Sequence, residues 1–253
     1  MSGGILRYIE WGLAQLLYRA RGHDAKLFTR SDVFKEIPQN IQVTSPELGP
    51  SGSHLTWDHS KLGSNRFPRL TWSLSTITPV TNTTNTHTST TDTITNTTPV
   101  TTNTTNTNTT DQSGNEIISS NVQEYLLICE DPDSPLPTPG NHGIYYSIPA
   151  HKTEISPEDL ELDTDKNEAA GDGSKWLKGG FRLGANHRGS VYIGPRPPVG
   201  HGEHRYFFQV VALKERLSTN EMRPVATREE LLQQIKGKLI GWGVWIGIYE
   251  NQW

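Results

Sequence analysis

A tract of Thr, Asn and Ser near the middle of the chain, residues 78–113, constrains the fold more than any other feature of the sequence. Nineteen of these 36 residues are Thr and six are Asn, and none is aromatic. The words TPVTNTTNT (from Thr78) and TPVTTNTTNT (from Thr98) nearly repeat. Because such a segment cannot bury enough apolar surface to offset the entropy lost on ordering, we predict a disordered insertion within one folded domain, residues 31–253.

Composition excludes several classes of protein. The 253 residues include 23 Lys and Arg against 27 Asp and Glu, a formal net charge of −4. This balance argues against a nucleic-acid-binding protein, which would present a basic face. The sequence contains no run of about 18 apolar residues, so no transmembrane segment is predicted. The single cysteine, Cys129, excludes an intrachain disulfide and a Cys-rich zinc site, and its place at the end of the apolar run YLLIC predicts a buried, unreactive thiol.

Residues 1–30 are predicted to form an amphipathic helical segment outside the folded domain. Apolar residues recur there with the i, i+3 and i+4 spacing of one helix face: Ile5, Leu6, Ile9, Leu13, Leu16 and Leu17. Arg7 and Glu10 interrupt what would have to be the apolar core of a secretory signal peptide. Arg19 and Arg21 leave a mitochondrial presequence as the alternative, but Glu10 and the scarcity of Ser favour a docking helix on a cytoplasmic protein.

The rest of the chain has the pattern of a mainly β fold. Short runs rich in branched and aromatic residues predict strands at residues 41–43, 70–74, 125–129, 144–148, 191–193, 206–213 and 244–249. The run 206–213 is apolar almost throughout, as in a central strand covered on both faces. Thr227 and Glu230 form a capping box that opens a helix with apolar positions Leu231, Leu232, Ile235 and Leu239. Together these elements predict a β-sandwich with peripheral N- and C-terminal helices.

Two polar clusters follow predicted strands, whereas the sequence lacks the nucleophile-elbow, Walker A and zinc-protease motifs. The first cluster is DPDSP, residues 131–135, directly after YLLIC, with His142 shortly beyond it. The second is GPRPPVGHGEHRY, residues 194–206, which leads into the most apolar strand. By themselves these residues are more typical of structural turns, in which Asp accepts backbone hydrogen bonds and a single His is a structural residue.

The order of these motifs resembles that of the phosphatidylethanolamine-binding protein (PEBP) family: DPDSP, then His142 ahead of YYSIPA, then GPRPPVGHGEHRYFF. The segments SPELGPSGSHLTWDHSKLGSNRFPRLTWS and TREELLQQIKGKLIGWGVWIGIYE resemble the early strands and the terminal helix and strand of the family. The resemblance covers about residues 31–77 and 114–253, and its overall character is that of the fungal members. It implies an antiparallel β-sandwich with a small anion-binding pocket at one end.

The resemblance assigns this pocket to Asp131, Pro135, His142, Gly194, Pro197, Gly200, His204 and Tyr206. Two positions depart from the family pattern. Gly143 stands where an aromatic residue commonly follows the first pocket histidine, which either widens the pocket or loosens its wall. Arg196 stands where a small residue or Cys is common, and it either adds a cation at the pocket rim, as a ninth ligand-binding candidate, or points to solvent.

The chemistry of this set suits an anion. Two imidazoles and the backbone N–H groups of a Gly- and Pro-rich loop supply hydrogen-bond donors. If Asp131 accepts from one histidine nitrogen, it fixes the tautomer and aims the other N–H at the ligand. A metal site is the weaker interpretation, because the spacing of its candidate ligands matches no metal motif. Those candidates are Asp131, His142, His201 and His204. We therefore predict no metal and no cofactor.

Three functions from different classes remain open. The first is a protein that binds a small anion or a phospholipid-type head group and regulates a kinase or a peptidase, as the resemblance implies. The second is an enzyme of fungal secondary metabolism, as in anhydride (maleidride-type) pathways, in which the same His, Asp and Arg residues provide acid–base catalysis and oxyanion stabilisation. The third is an interaction protein with a vestigial pocket. The sequence does not decide between binder and enzyme, because oriented donors around an anion suit either.

Overall fold

The structure, a computed structural model, describes residues 2–75 and 121–252, with side chains from residue 5 onward. The predicted insertion at 78–113 lies outside the described residues. The described strands, numbered in chain order, are Ile41–Thr44 (β1), Ser53–His54 (β2), Leu70–Leu74 (β3), Glu124–Asp131 (β4), Gly140–Pro149 (β5), Glu154–Ile155 (β6), Arg182–Leu183 (β7), His204–Leu213 (β8) and Leu239–Tyr249 (β9). The described α-helices are Ser2–Leu17 (α1), Thr164–Ala170 (α2) and Arg228–Gln234 (α3).

Two sheets pack face to face. The larger has the strand order β2-β9-β8-β4-β5-β7, and the smaller has the order β1-β3-β6. Neighbouring strands are antiparallel, except that β2 pairs with β9 in parallel. Leu70 and Trp72 of the smaller sheet share one apolar core with Leu127, Phe208 and Trp245 of the larger sheet. This arrangement confirms the predicted mainly β sandwich.

The central strands β4 and β8 are buried on both faces, and for β8 the continuous apolar run at residues 206–213 predicts this. Along β8, Phe208 and Val210 face the core between the sheets, whereas Val211 and Leu213 belong to a second core on the opposite face. That second core is covered by α3 and by short 3₁₀ turns near residues 24–34. Cys129 lies in the first core and is buried, and this desolvation raises the pKa of its thiol well above the usual value.

Two predicted elements are wrong, and the backbone explains both. Residues 191–193 form an extended loop instead of a strand: Ile193 N–H donates to His142 C=O, but the next five residues include three prolines, which have no N–H to extend a ladder. Leu239 begins β9 instead of continuing the helix stripe. The left-handed backbone at Gly237 (φ 75°) redirects the chain between α3 and β9.

Helix α1 lies across the loop of residues 194–200. Its Ala14 is buried, and Gln15 Nε2 donates to Gly200 C=O at 2.6 Å. The predicted apolar stripe does not join either core, because all of its members are exposed: Ile5, Leu6, Ile9, Leu13, Leu16 and Leu17. Among the helices of the described residues, none is long and apolar enough to cross a membrane. A docking role for α1 stays a prediction.

Candidate anion-binding site

A cavity of about 360 Å³ opens at one end of the larger sheet. β4 ends there at Asp131, and its antiparallel neighbours β5 and β8 begin there at Gly140 and His204. Eight of the nine predicted ligand-binding residues line this cavity: Asp131, Pro135, His142, Gly194, Arg196, Pro197, His204 and Tyr206. Its volume lies in the range of small-molecule sites.

Two glycines that the sequence singled out lie away from the cavity. Gly200 has a left-handed backbone (φ 81°) and is covered by α1, whose Trp11 ring occupies the space where a Cβ would project. A Cβ on Gly143 would meet the hydroxyl of Tyr145, whose side chain belongs to the core between the sheets. Gly143 therefore makes room for core packing and neither widens the cavity nor loosens its wall.

The DPDSP turn holds Asp131 by both carboxylate oxygens. Oδ1 accepts a hydrogen bond from Asp133 N–H at 2.8 Å, and Oδ2 lies 2.8 Å from His204 Nδ1. Asp133 binds Arg205 in turn, with 2.8 Å between Asp133 Oδ2 and Arg205 Nε. Burial alone would raise the pKa of Asp133, but the hydrogen bonds from Arg205 outweigh it and hold that pKa below its usual value. An ionised Asp133 therefore anchors the turn that positions Asp131.

A chain of hydrogen bonds links His204 to α1. The carbonyl of Leu17 can only accept, so His201 Nε2, 3.0 Å away, carries a proton. Burial lowers the pKa of His201, which leaves its Nδ1 to accept from His204 Nε2 at 2.7 Å. One further proton then lies between His204 Nδ1 and Asp131 Oδ2. Both nitrogens of His204 are occupied, so the expectation that Asp131 aims a free N–H of this histidine at a ligand is wrong.

His142 presents a free nitrogen to the cavity. Its Nδ1 lies 2.5 Å from the Ile193 carbonyl oxygen, which can only accept, so Nδ1 carries the proton. Burial lowers the pKa of His142, and the neutral ring presents Nε2 as a lone pair close to Gly140. Among the described residues Nε2 has no hydrogen-bond partner. The sequence predicts a donor here, but neutral His142 is an acceptor until it gains a second proton.

Tyr206 forms part of the same wall. Its buried ring packs edge-on against His142, with the ring centroids 4.9 Å apart and the planes at 89°. Burial raises the pKa of the Tyr206 hydroxyl well above its usual value, so the hydroxyl stays protonated near neutral pH and can donate. The buried part of the cavity therefore combines one acceptor and one donor.

Four titratable residues that line the cavity have no counterpart in the sequence prediction: Glu10, Lys61, His187 and Arg188. Contacts between distant parts of the chain bring them there. Lys61 N–H donates to Pro195 C=O at 2.9 Å, and Glu10 Oε1 accepts from Val199 N–H at 3.4 Å. No motif in the segments that carry these residues indicates a site.

The described residues offer no metal site of three or more His, Cys, Asp and Glu side chains. His201 and His204, two of the four candidate ligands, use both of their ring nitrogens in the chain from Leu17 to Asp131. They have no lone pair left for a metal ion.

The fold and the site define a class, the PEBP-type β-sandwich. The structure is similar to that of YbcL from Escherichia coli, described as a new member of the mammalian PEBP family. The TM-score is 0.53 at 21% identity, over 84% of this chain and 99% of that chain. A PEBP homologue from Chlamydia trachomatis gives a TM-score of 0.51 at 20% identity, over 85% of this chain and 99% of that chain.

The chain belongs to the phosphatidylethanolamine-binding protein family, whose sequence profile matches residues 50–250. This match confirms the resemblance inferred from the motifs. The chain is 40% identical over 251 residues to Phomoidride biosynthesis cluster protein B of Talaromyces stipitatus, covering 98% of this chain and 84% of that protein. It is 37% identical over 250 residues to the protein of the same name from another fungus (Fungal sp.), covering 98% and 97%. A UPF0098 protein of Pyrococcus abyssi is 37% identical over 138 residues, 54% of this chain and 69% of that protein.

Proposed function

We propose that this protein binds a small anionic metabolite in the cavity at the ends of β4, β5 and β8. The observation that carries the proposal is the sign of the charge around the cavity. Three cations line the cavity: Lys61, Arg188 and Arg196. Among the carboxylates of the lining, Glu10 has no cation partner within the described residues. The Asp131 carboxylate is compensated by His204. Since the whole chain carries a net charge of −4, the positive cavity is a local feature that attracts anions.

His142 determines how the anion is held. A neutral ring offers a lone pair, which repels an ionised oxygen. An anion next to Nε2 raises the pKa of His142, because the opposite charge favours the imidazolium form. The protonated ring then donates a charge-assisted hydrogen bond, and the Tyr206 hydroxyl supplies a second donor. The anion and a proton therefore bind together.

An enzymatic role is the second candidate, because the free Nε2 of His142 is also a base. A lone pair beside a protonated hydroxyl and fixed cations can remove a proton from an acidic substrate and stabilise the anion that forms. The match over 98% of this chain to two proteins named for a phomoidride biosynthesis cluster supports a substrate made in a fungal biosynthetic pathway. The phospholipid head group, the kinase or peptidase partner and the cytoplasmic location stay predictions.

Titration calorimetry with phosphate tests the binding proposal. We expect His142→Ala to weaken phosphate binding about 10- to 150-fold, equivalent to losing a charge-assisted hydrogen bond of about 1.5–3 kcal/mol. His151→Ala is the matched control, because His151 is exposed just beyond the opposite end of β5 and should not affect affinity. Equal affinity of the wild type and the His142 variant would contradict the proposal.

The two candidate roles need a second experiment. Native mass spectrometry of the purified protein identifies any small anion that copurifies with it. Incubation of that compound with catalytic amounts of protein then separates the roles, because an enzyme converts many equivalents and a binding protein converts none.

A further inference from the structure

Three cations meet at the mouth of the cavity, and none of them has a carboxylate partner among the described residues. Within the described residues the side chains of Lys61, Arg188 and Arg196 form no ion pair. Elsewhere, the half-exposed Arg205 is paired with Asp24 at 2.8 Å. Burial and the nearby charges of the two arginines lower the pKa of Lys61. Cations that destabilise one another in the free protein are stabilised by a ligand that neutralises them.

We propose that the ligand carries two acidic groups on a short chain. One group binds in the buried part of the cavity at His142 and Tyr206, and the other binds at the rim formed by Lys61, Arg188 and Arg196. This inference rests on the proposed anion-binding function and adds the class of ligand, a dicarboxylic acid or a phosphorylated carboxylic acid.

The buried part and the rim differ in depth and in chemistry. His142 and Tyr206 are buried, whereas Arg188 and Arg196 are exposed. The buried part supplies a lone pair and a hydroxyl, which suit an acidic group that binds together with a proton. The rim supplies permanent positive charge, which suits a fully ionised group. A single acidic group in the buried part would leave the rim cations uncompensated.

Volume and charge agree with a ligand of this kind. The cavity volume of about 360 Å³ lies in the range of small-molecule sites, so one carboxylate or phosphate group fills only a small part of it. The lining carries three cations against Glu10, an excess of two positive charges, while Asp131 and His204 compensate each other. Two anionic groups balance that excess.

The Glu10 carboxylate restricts where the second acidic group of the ligand can bind. Helix α1 places this carboxylate at the cavity, where Val199 N–H donates to it. It repels an anion on the side of α1 and therefore directs the second group towards Lys61 and the two arginines. The family profile begins at residue 50, so the element that carries Glu10 lies outside the matched region.

Calorimetry with a series of straight-chain dicarboxylates, from malonate to adipate, tests the inference against monocarboxylates of the same lengths. We expect one length to bind the wild type at least about tenfold more tightly than its matched monocarboxylate, from ion pairs with two or three cations. The Arg188→Gln/Arg196→Gln double variant should lose most of that advantage, because its affinity for dicarboxylates falls several-fold more than its affinity for monocarboxylates. Phosphoglycolate compared with malonate shows whether the second group is a phosphate or a carboxylate.

Lys214→Gln is the matched control, because it removes an exposed positive charge just beyond the end of β8 opposite to His204. The exchanged side chains are all exposed, so an unchanged melting temperature verifies that each variant is folded. Dicarboxylates that bind no more tightly than monocarboxylates, or a double variant that keeps the advantage, would overturn the inference. Phosphate binding that depends on His142 without any preference for dicarboxylates would overturn it while leaving the proposed function intact.

Discussion

Binding of a permanently ionised anion such as sulfate should place one proton on His142. In the free protein Nδ1–H is committed to the Ile193 carbonyl and burial lowers the pKa of the ring, so Nε2 is a lone pair near neutral pH. Sulfate has no proton to donate to this lone pair. The ring must therefore gain a proton before it can donate a hydrogen bond to the anion.

The size of the effect follows from proton linkage. Where the free ring is neutral and the bound ring is protonated, sulfate affinity falls about tenfold, or about 1.4 kcal/mol, for each unit of increase in pH. Between about pH 6 and about pH 8 the dissociation constant should therefore rise up to about 100-fold. Of the charged groups that act on His142, Asp131 raises its pKa, whereas His187 and His204 lower it. These charges shift the pH at the midpoint of the affinity change, but they leave the slope of sulfate affinity against pH unchanged.

Titration calorimetry in buffers of different ionisation enthalpy counts the protons taken up. We expect up to one proton per sulfate near pH 7 for the wild type and close to none for His142→Asn. His151→Asn is the matched control, because this exposed histidine lies beyond the opposite end of β5 and should not change the number of protons taken up. Wild-type affinity that is independent of pH, or binding without proton uptake, would refute the assignment of His142 as the group that holds the anion.

Three further predictions concern the fold. Deletion of residues 78–113 should move the melting temperature by less than about 4 °C, because loop closure costs only about 0.6 kcal/mol per doubling of length; a fall of more than about 10 °C would show that the segment is packed. A thiol reagent should label Cys129 of the native protein far more slowly than free cysteine, because the thiol is buried and its pKa is raised, and labelling at the free rate would contradict this. Glu130→Ala should lower the melting temperature by about 6–20 °C, because Arg228 and Gln209 lose their buried carboxylate partner and removing one partner of a buried ion pair costs about 3–5 kcal/mol. A shift below about 2 °C would contradict this prediction.

Much of the strand pattern is predictable because apolar side chains mark the strands. The strand Leu70–Leu74 agrees with the sequence prediction at both bounds. β4 and β9 extend beyond their predicted apolar runs to residues such as Glu124 and Gly243, which pair with Leu213 and Val210 of β8. Their place in the sheet depends on these neighbours, and a single sequence does not contain that information.

The candidate site is predictable only in part. The family resemblance indicates Asp131, His142 and Tyr206, and the meeting of strand ends explains why they line one cavity. Lys61 and Arg188 lie in polar loops without a motif, and contacts between residues far apart in sequence bring them to the cavity. The protonation pattern also depends on such contacts, because it is determined by which backbone carbonyl each histidine meets.

An NMR titration of ¹⁵N-labelled protein with phosphate tests the proposed anion site most directly. We expect the largest amide shift changes at residues that line the cavity: Asp131, Gly140, His142, Gly194 and Arg196. A second cavity, of about 540 Å³ and lined by Lys26 and Arg228, is the competing position for an anion. The largest changes at that second cavity, or no localised changes at all, would contradict the proposed function.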